Sequence, residues 1–455
     1  MDAHGAKATF TGTLTRPPLL YRQWMLAGNP ALFFDRLVRD FGDFVHYRGL
    51  FNFYLVNHPA LVRQVLQETN RSFDKRSVIY DRFRQSFGDG LVVAEGDRWR
   101  RQRRLMQPLF GHDAIKDYLP RVVAAAEALG RRWEALADGG RVFDVVPEMR
   151  VLTLQIVGRV LFHDSFDDVA EKIAAWTDVI NRHGAKPPLP IIRSPWFPSR
   201  INRQLRETLA EFHAFLAELI EERRGGGETS DLISRLLAAR DDEGGAMSSH
   251  DIADEALGMI IGGHETSANA LAWLWYELDR HPAVRLRLQR ELDDVIGDEI
   301  PSHEHLSRLV ETRMAIEETL RLHPPFWFEN RNVAADHVEL GGTVVPRGSL
   351  VVFSRYSLHR HAGFWHDPDR FEPERFRPDH EENTRATHAS VPFGGGPRVC
   401  IGQHFAMMEL IAIVAVLARR YHLRLDASHR PGMAAHVTMT PKYGVRVVAE
   451  RRRSP

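Results

Sequence analysis

A helical pattern runs from Ser249 to Arg280 without a proline, and it limits the fold more than any other feature of the chain. Ser248, with Asp251 three residues on, resembles a capping box that opens it, and His281-Pro282 closes it. Further helical patterns lie over 31–41, 59–67, 98–109, 119–137, 145–161, 169–181, 201–224, 231–239, 283–296, 306–322 and 402–420. Strand signals are few. Residues 45–47 and 51–56 make one hairpin candidate. Residues 337–340, 343–345 and 349–353 are separated by Gly341-Gly342 and by Pro346-Arg347-Gly348, and 445–449 adds a late strand. The expectation is a mainly α protein with a small β side sheet built from both ends of the chain. Residues 1–30 read as an N-terminal extension. Residues 31–455 read as a single domain with a small β subdomain at about 44–57, 337–353 and 445–449.

Composition narrows the function classes. Hydrophobic residues make up 44% and charged residues 26% of the 455, which excludes a collagen-like or largely disordered chain. Sixty basic residues balance 60 acidic ones, so no whole-protein field recruits nucleic acid. One cysteine excludes an intramolecular disulfide framework and an all-cysteine zinc site, and it fits a reducing cytosol. Met1 to Leu20 holds no apolar core of the signal-peptide kind. The most apolar long stretch, 405–418, is too short to span a bilayer and carries Glu409. These features together predict a soluble, cytoplasmic protein, and nothing in the sequence demands more than a monomer.

Two stretches break the helical order. Between Lys186 and Arg200, Pro187, Pro188, Pro190, Pro195 and Pro198 alternate with Ile191, Ile192, Trp196 and Phe197, so a loop with an apolar face is predicted there. Gly225-Gly226-Gly227 through Ser230 reads as a plain connector.

Four local features carry chemistry. Pro392-Phe393-Gly394-Gly395-Gly396-Pro397-Arg398-Val399-Cys400-Ile401-Gly402 precedes a stretch free of glycine and proline from Gln403 to Arg420. A thiol at such a helix N-terminus is biased toward the thiolate, a nucleophile or a metal ligand; a buried cysteine beside a tight turn fits the same pattern. Inside the long helix, Gly262-Gly263 costs about 2 kcal/mol relative to two alanines, which is tolerated where a ligand approaches the backbone. Glu265 and Thr266 place a carboxylate and a hydroxyl beside that gap, although close helix packing with a solvated acid would look alike. Glu318 and Arg321 share one helical face. Arg98, Arg100, Arg101, Arg103 and Arg104 cluster around Trp99, a pattern that is usually a solvated face.

In their order along the chain, these features resemble the cytochrome P-450 family of heme-thiolate monooxygenases over about residues 31–448. The cysteine loop matches the family's heme-binding pattern at Phe393, Gly396, Arg398, Cys400 and Gly402. The long helix matches its oxygen-binding motif at Gly262, Gly263, Glu265 and Thr266. Glu318 and Arg321 match the glutamate–arginine motif, with Arg375 in Phe371-Glu372-Pro373-Glu374-Arg375-Phe376 as third member. Trp99 and Arg103 match the tryptophan–arginine motif.

The resemblance implies a helical prism-like domain around heme b, with Cys400 as the axial iron ligand and dioxygen as cosubstrate. It places Arg103, Arg398 and Arg331 on the heme propionates with Trp99 assisting, and Phe393 over the sulfur. It casts Glu318, Arg321 and Arg375 as a buried structural network, and Thr266 with Glu265 behind it as a proton relay. His264 is read as packing or a side relay. Phe83, Phe87, Met259, Phe326, Trp327, Phe328 and Met439 are implied to line a lipophilic substrate pocket, with Glu329 and His436 as polar anchors. A fatty acid, terpenoid, steroid or polyketide would suit it. Electrons would come from an acidic ferredoxin or flavodoxin with its reductase, and from NAD(P)H only indirectly, with Arg100, Arg101 and Arg104 suited to that partner. The apolar loop over 186–200 would be a channel lid with at most peripheral membrane contact. Oxidative coupling, peroxide use, and a non-enzymatic heme carrier or sensor are the alternatives.

Overall fold

The computed structural model describes residues 10–22, 28–49, 51–161, 170–184, 199–225, 231–240, 244–380, 382 and 388–452. The proline-rich segment 185–198, with Ile191, Ile192, Trp196 and Phe197, and the connector at 226–230 lie outside the described residues. The first elements are α1 (Pro30–Phe41), β1 (Phe44–Arg48), β2 (Asn52–Val56), α2 (Pro59–Arg63), β3 (Phe73–Asp74), α3 (Val78–Phe87) and α4 (Gly96–Met106). There follow α5 (His112–Asp138), β4 (Val142–Asp144), α6 (Val145–Leu161), α7 (Ala170–Gly184), α8 (Arg200–Gly225), α9 (Leu232–Ala238), α10 (Ser249–Arg280), α11 (Pro282–Ile296) and α12 (His303–Arg308). The chain continues through α13 (Val310–Leu322), β5 (Phe328–Val333), β6 (His337–Leu340), β7 (Thr343–Pro346), β8 (Leu350–Ser354) and α14 (Arg355–Leu358). It ends with α15 (Gln403–Arg420), β9 (Tyr421–Leu425), β10 (Met433–Ala435), β11 (Met439–Pro441) and β12 (Arg446–Arg451). The mainly α expectation with small sheets holds.

The chain divides into two units. One is drawn from Met1–Ser77, Arg313–Cys400 and Met433–Thr440. It holds a five-stranded sheet of order β1-β2-β8-β5-β3, antiparallel except where β2 meets β8. Successive residues of β2 face opposite ways: Tyr54 and Val56 enter one apolar cluster, Phe53 and Leu55 another, so the sheet is covered on both faces. The predicted N-terminal extension is partly built into this unit. Thr15 lies beside Val45, donating its N–H to the Phe44 carbonyl (2.9 Å) and accepting from His46 N–H (2.8 Å).

β5 has no counterpart in the sequence reading. Its residues, Phe-Glu-Asn-Arg-Asn-Val, include several types depleted in strands, yet it pairs with β8 from Phe328↔Ser354 to Asn332↔Leu350.

The other unit is drawn from Val78–Thr312, Ile401–Gly432 and Pro441–Pro455. The predicted capping box opens α10, with Ser248 and Asp251 each accepting from the other's backbone N–H. Between Ile252 and Asp279, Gly262 is the one exposed residue. The apolar stretch over 405–418 is the interior of α15, buried almost throughout. Among the described residues no helix is long and apolar enough to cross a membrane.

The late strand predicted at 445–449 exists as β12, but its place differs from the expectation. It pairs antiparallel with β4 and β9, in a three-stranded sheet of its own. Val447 and Ala449 alternate inward there. β6 and β7 likewise form a separate hairpin. The single side sheet expected from 44–57, 337–353 and 445–449 is therefore three sheets.

Candidate active site

The cysteine loop is shaped by glycines that no other residue could replace without strain. Gly396 has φ +65°, and a Cβ there would lie 1.9 Å from the Leu66 carbonyl oxygen. Gly394, at φ +78°, packs against Arg355. Cys400 N–H donates to the Phe393 carbonyl (2.9 Å), which closes the loop and leaves Cys400 exposed at its end. Phe393 and Arg398 are half-buried. Gly402 caps α15, which begins three residues after the cysteine.

Behind the loop, in the same unit, the predicted network is present and fully buried. Arg321 Nε and Nη2 donate to the two carboxylate oxygens of Glu318 (2.6 and 2.8 Å). Its remaining donors reach the carbonyls of His359, Pro368 and Arg370. Arg375 stands 3.5 Å from Glu318 and is held more closely by Glu382 (2.6 Å) and Glu372 (3.0 Å). The sequence reading missed His359. Its Nδ1 donates to the Arg321 carbonyl (3.1 Å), and its Nε2 accepts from Val391 N–H (2.9 Å), so it joins the network to the cysteine loop. Burial and the flanking arginines hold it neutral, well below the usual histidine range. No local pattern singles out His359 among 23 histidines.

Glu329 is not a substrate anchor. Its Oε1 lies 2.5 Å from Arg331 Nη2, and its Oε2 accepts from Arg355. Burial alone would raise its pKa, but Arg331, Arg355 and Lys75 outweigh that and pull it down to about 2. His436 is exposed, and its carbonyl accepts from Trp327 Nε1 (2.8 Å). Trp327 and Met439 fill the apolar core under the sheet instead of facing open space. Phe328 stacks on Phe34 (5.3 Å between centroids) at the edge of that core, and Phe326 lies under the Arg355 guanidinium. Arg331 itself is buried.

In the other unit, α10 sets Thr266 one turn beyond Gly262, its hydroxyl donating to the Gly262 carbonyl (2.7 Å). A Cβ at Gly262 would meet nothing within 4 Å, whereas one at Gly263 would press on Val157 at 3.1 Å. The first glycine opens a face and the second allows close helix packing. Glu265 departs from the expected relay: it is buried and turned to α7 and α6. Asn181 Nδ2 donates to its Oε2 (2.5 Å), and Arg150 stands 3.7 Å from its Oε1. Neighbouring helical residues point about 100° apart, so Thr266 and Glu265 do not share a face. Of the two readings of His264, packing is the one the structure favours: its Nδ1 donates to the Ile260 carbonyl (2.8 Å) and burial lowers its pKa to about 4.

Trp99 and Arg103 lie one turn apart on α4, both half-buried. Phe83 and Phe87 meet edge to face (5.7 Å), and Met259 is half-buried on α10. The arginine run is only partly a solvated face. Arg98 pairs with Asp251 (2.7 Å) and Arg101 donates to the Ala246 carbonyl (2.9 Å), while Arg100 and Arg104 are exposed.

The profile of the cytochrome P450 family matches residues 14–447. The chain belongs to the cytochrome P450 family. It is 34% identical over 439 residues to pentalenene oxygenase of Streptomyces avermitilis, covering 95% of this chain and 96% of that one. It is 35% identical to cyclooctat-9-en-7-ol 5-monooxygenase of Streptomyces melanosporofaciens, over 90% of this chain and 88% of that one. Among solved structures it is similar to the cytochrome P450DA heme domain, with a TM-score of 0.86, 26% identity, and 97% and 98% of the two chains covered.

This P450 is thus a monooxygenase of a family whose cofactor is heme iron bound by thiolate. Its residues fit that group. An exposed thiol ends a glycine loop, and a buried cluster of Lys75, Arg331 and Arg355 outnumbers Glu329, as a dicarboxylate ligand requires. An open glycine face interrupts an otherwise buried helix.

Proposed function

We propose that this P450 hydroxylates a C–H bond, or epoxidises a C=C bond, of a lipophilic terpenoid, using electrons from a separate redox partner. The observation that carries the reading is Gly262, the one exposed residue between Ile252 and Asp279, with the Thr266 hydroxyl one turn away. Phe83, Phe87 and Met259 support an apolar substrate. The terpenoid class is supported by the names of two relatives that match along most of the chain.

Heme held by Cys400 would supply dioxygen activation, with the thiolate donating electron density to the iron. The protein's own residues do the rest. Arg331, Arg398 and Arg103, with Trp99, would hold the propionates, and Phe393 would cover the sulfur. Thr266 Oγ1 holds a proton against the Gly262 carbonyl and can turn to donate it. Glu265 is a proton source only once its contacts with Asn181 and Arg150 loosen.

Thr266→Ala is expected to cut product formed per electron pair by about tenfold or more, with the missing electrons recovered as hydrogen peroxide. Product and peroxide are quantified together during turnover of a terpenoid that shifts the heme to high spin. An unchanged product yield would refute the role of Thr266, and an unchanged affinity for ligands without any turnover would point to a carrier or sensor.

The partner we propose is an acidic ferredoxin or flavodoxin, reduced at the expense of NAD(P)H by its own reductase. Arg100 and Arg104 are exposed on α4 and suit it, Arg100 while also paired with Asp97; Arg101 is half-buried and donates to the Ala246 carbonyl. Reversing Arg100 and Arg104 to glutamate should slow reduction by an acidic ferredoxin and flatten its salt dependence in stopped-flow traces. An unchanged rate at low salt would remove α4 from the docking face.

A further inference from the structure

β5 buries three consecutive polar side chains, Glu329, Asn330 and Arg331. The functional reading employs Arg331 and leaves Glu329 and its second partner, Arg355, without a task. Each Glu329 oxygen meets a different guanidinium, Arg331 on one side and Arg355 on the other. Arg355 has further bonds. Its Nε donates to the Val391 carbonyl (2.8 Å) and its Nη1 to the Phe326 carbonyl (3.0 Å). Val391 opens the cysteine loop, and its N–H is taken by His359. Both backbone polar groups of Val391 are therefore gripped by buried side chains.

The pair also lies directly against the loop. A Cβ on Gly394 would sit 3.3 Å from Arg355 Nη2 and 3.7 Å from Glu329 Oε2. Glycine at that position lets the loop backbone rest on the ion pair. A neutral group of the same size would fill the space, but it would not bind two guanidiniums through two charge-assisted bonds. The carboxylate also offsets one of three positive charges, those of Lys75, Arg331 and Arg355.

We propose that Glu329 is a positioning residue that orients Arg331 toward a heme propionate and, through Arg355, fixes the loop carrying Cys400, while its charge lowers the electron affinity of the iron. This rests on the heme-thiolate reading. The electrostatic part follows from sign alone: removing a negative charge near the heme favours the form with one more electron. The geometric part follows from the fork. Freed from Glu329, Arg355 keeps its bonds to the Val391 and Phe326 carbonyls but loses its one charge-assisted anchor, so its hold on the loop at Val391 loosens.

The test uses the heme-loaded full chain. In Glu329→Gln the ferric–ferrous midpoint potential, followed by spectroelectrochemical titration, should move positive. The fraction of the reduced carbon monoxide complex with the strongly red-shifted Soret band should fall. Glu329→Asp, which keeps the charge, should return the potential toward wild type. Arg355→Lys keeps the positive charge and loses the fork. It should lower the fraction with the red-shifted band while leaving the potential nearer wild type than Glu329→Gln does, which keeps the proposal testable if the glutamine variant loads heme poorly. A wild-type protein with the red-shifted band, beside a glutamine variant with the same potential and the same band, would overturn the proposal and leave the heme reading standing. A wild type without that band would overturn both.

Discussion

Cys400→Ser is expected to abolish turnover and to remove the strongly red-shifted Soret band from the dithionite-reduced carbon monoxide complex. The sulfur is the one side chain on the chain able to supply a thiolate, and the loop exists to present it. Gly396 cannot carry a side chain without meeting the Leu66 carbonyl, and the Cys400 backbone N–H bonds the Phe393 carbonyl. Serine keeps that backbone bond and the size of the group. It loses the ionisable group, because a hydroxyl is a far weaker acid than a thiol. Since Cys400 is exposed, the substitution removes no packed volume, so the thermal unfolding midpoint of the protein stripped of heme should stay within a degree or two, on the order of 0.5 kcal/mol. Loss of the band with fold intact assigns the iron ligand. A variant that keeps the red-shifted band would remove Cys400 from the site.

Much of this was readable in the sequence because spacing alone carries it. The capping box before α10, the glycine pair within it and the cysteine loop depend on residues close in the chain, where local geometry decides. What was not readable depends on distant partners. β5 looked unlike a strand because Glu329, Asn330 and Arg331 are polar, and they are tolerated inside because Arg355 and Ser77 meet them from elsewhere in the chain. The same polarity makes Glu329 resemble a substrate anchor. Only the positions of Arg331 and Arg355 show that its charge is already matched. Trp327 and Met439 were read as pocket residues, yet aromatic and apolar character does not distinguish a cavity wall from core. The resemblance couples Glu265 to Thr266, but the helix turns these neighbours apart.

The largest loss of stability is expected from Arg321→Ala. Arg321 is 0% exposed and makes two bonds to Glu318 and three to backbone carbonyls. Alanine leaves Glu318 buried with Arg375 at 3.5 Å as its remaining cation, and leaves the carbonyls of His359, Pro368 and Arg370 without that donor. Breaking a buried pair from one side costs about 3–5 kcal/mol, a large share of the ~5–15 kcal/mol that holds a typical domain folded. Arg375→Ala should cost less, because Glu318 then keeps both bonds to Arg321. Replacing both partners, Glu318→Leu with Arg321→Met, should cost less than Arg321→Ala alone, since no uncompensated charge remains. Urea unfolding of the three variants, with heme content measured beside it, gives the order directly. If Arg375→Ala proved the more damaging, the network would centre on Glu382 and Glu372 instead of Glu318. His359 predicts the route by which the damage spreads: its Nδ1 bonds the Arg321 carbonyl and its Nε2 bonds Val391, so disorder around Arg321 should reach the cysteine loop and lower heme retention before the unit as a whole unfolds.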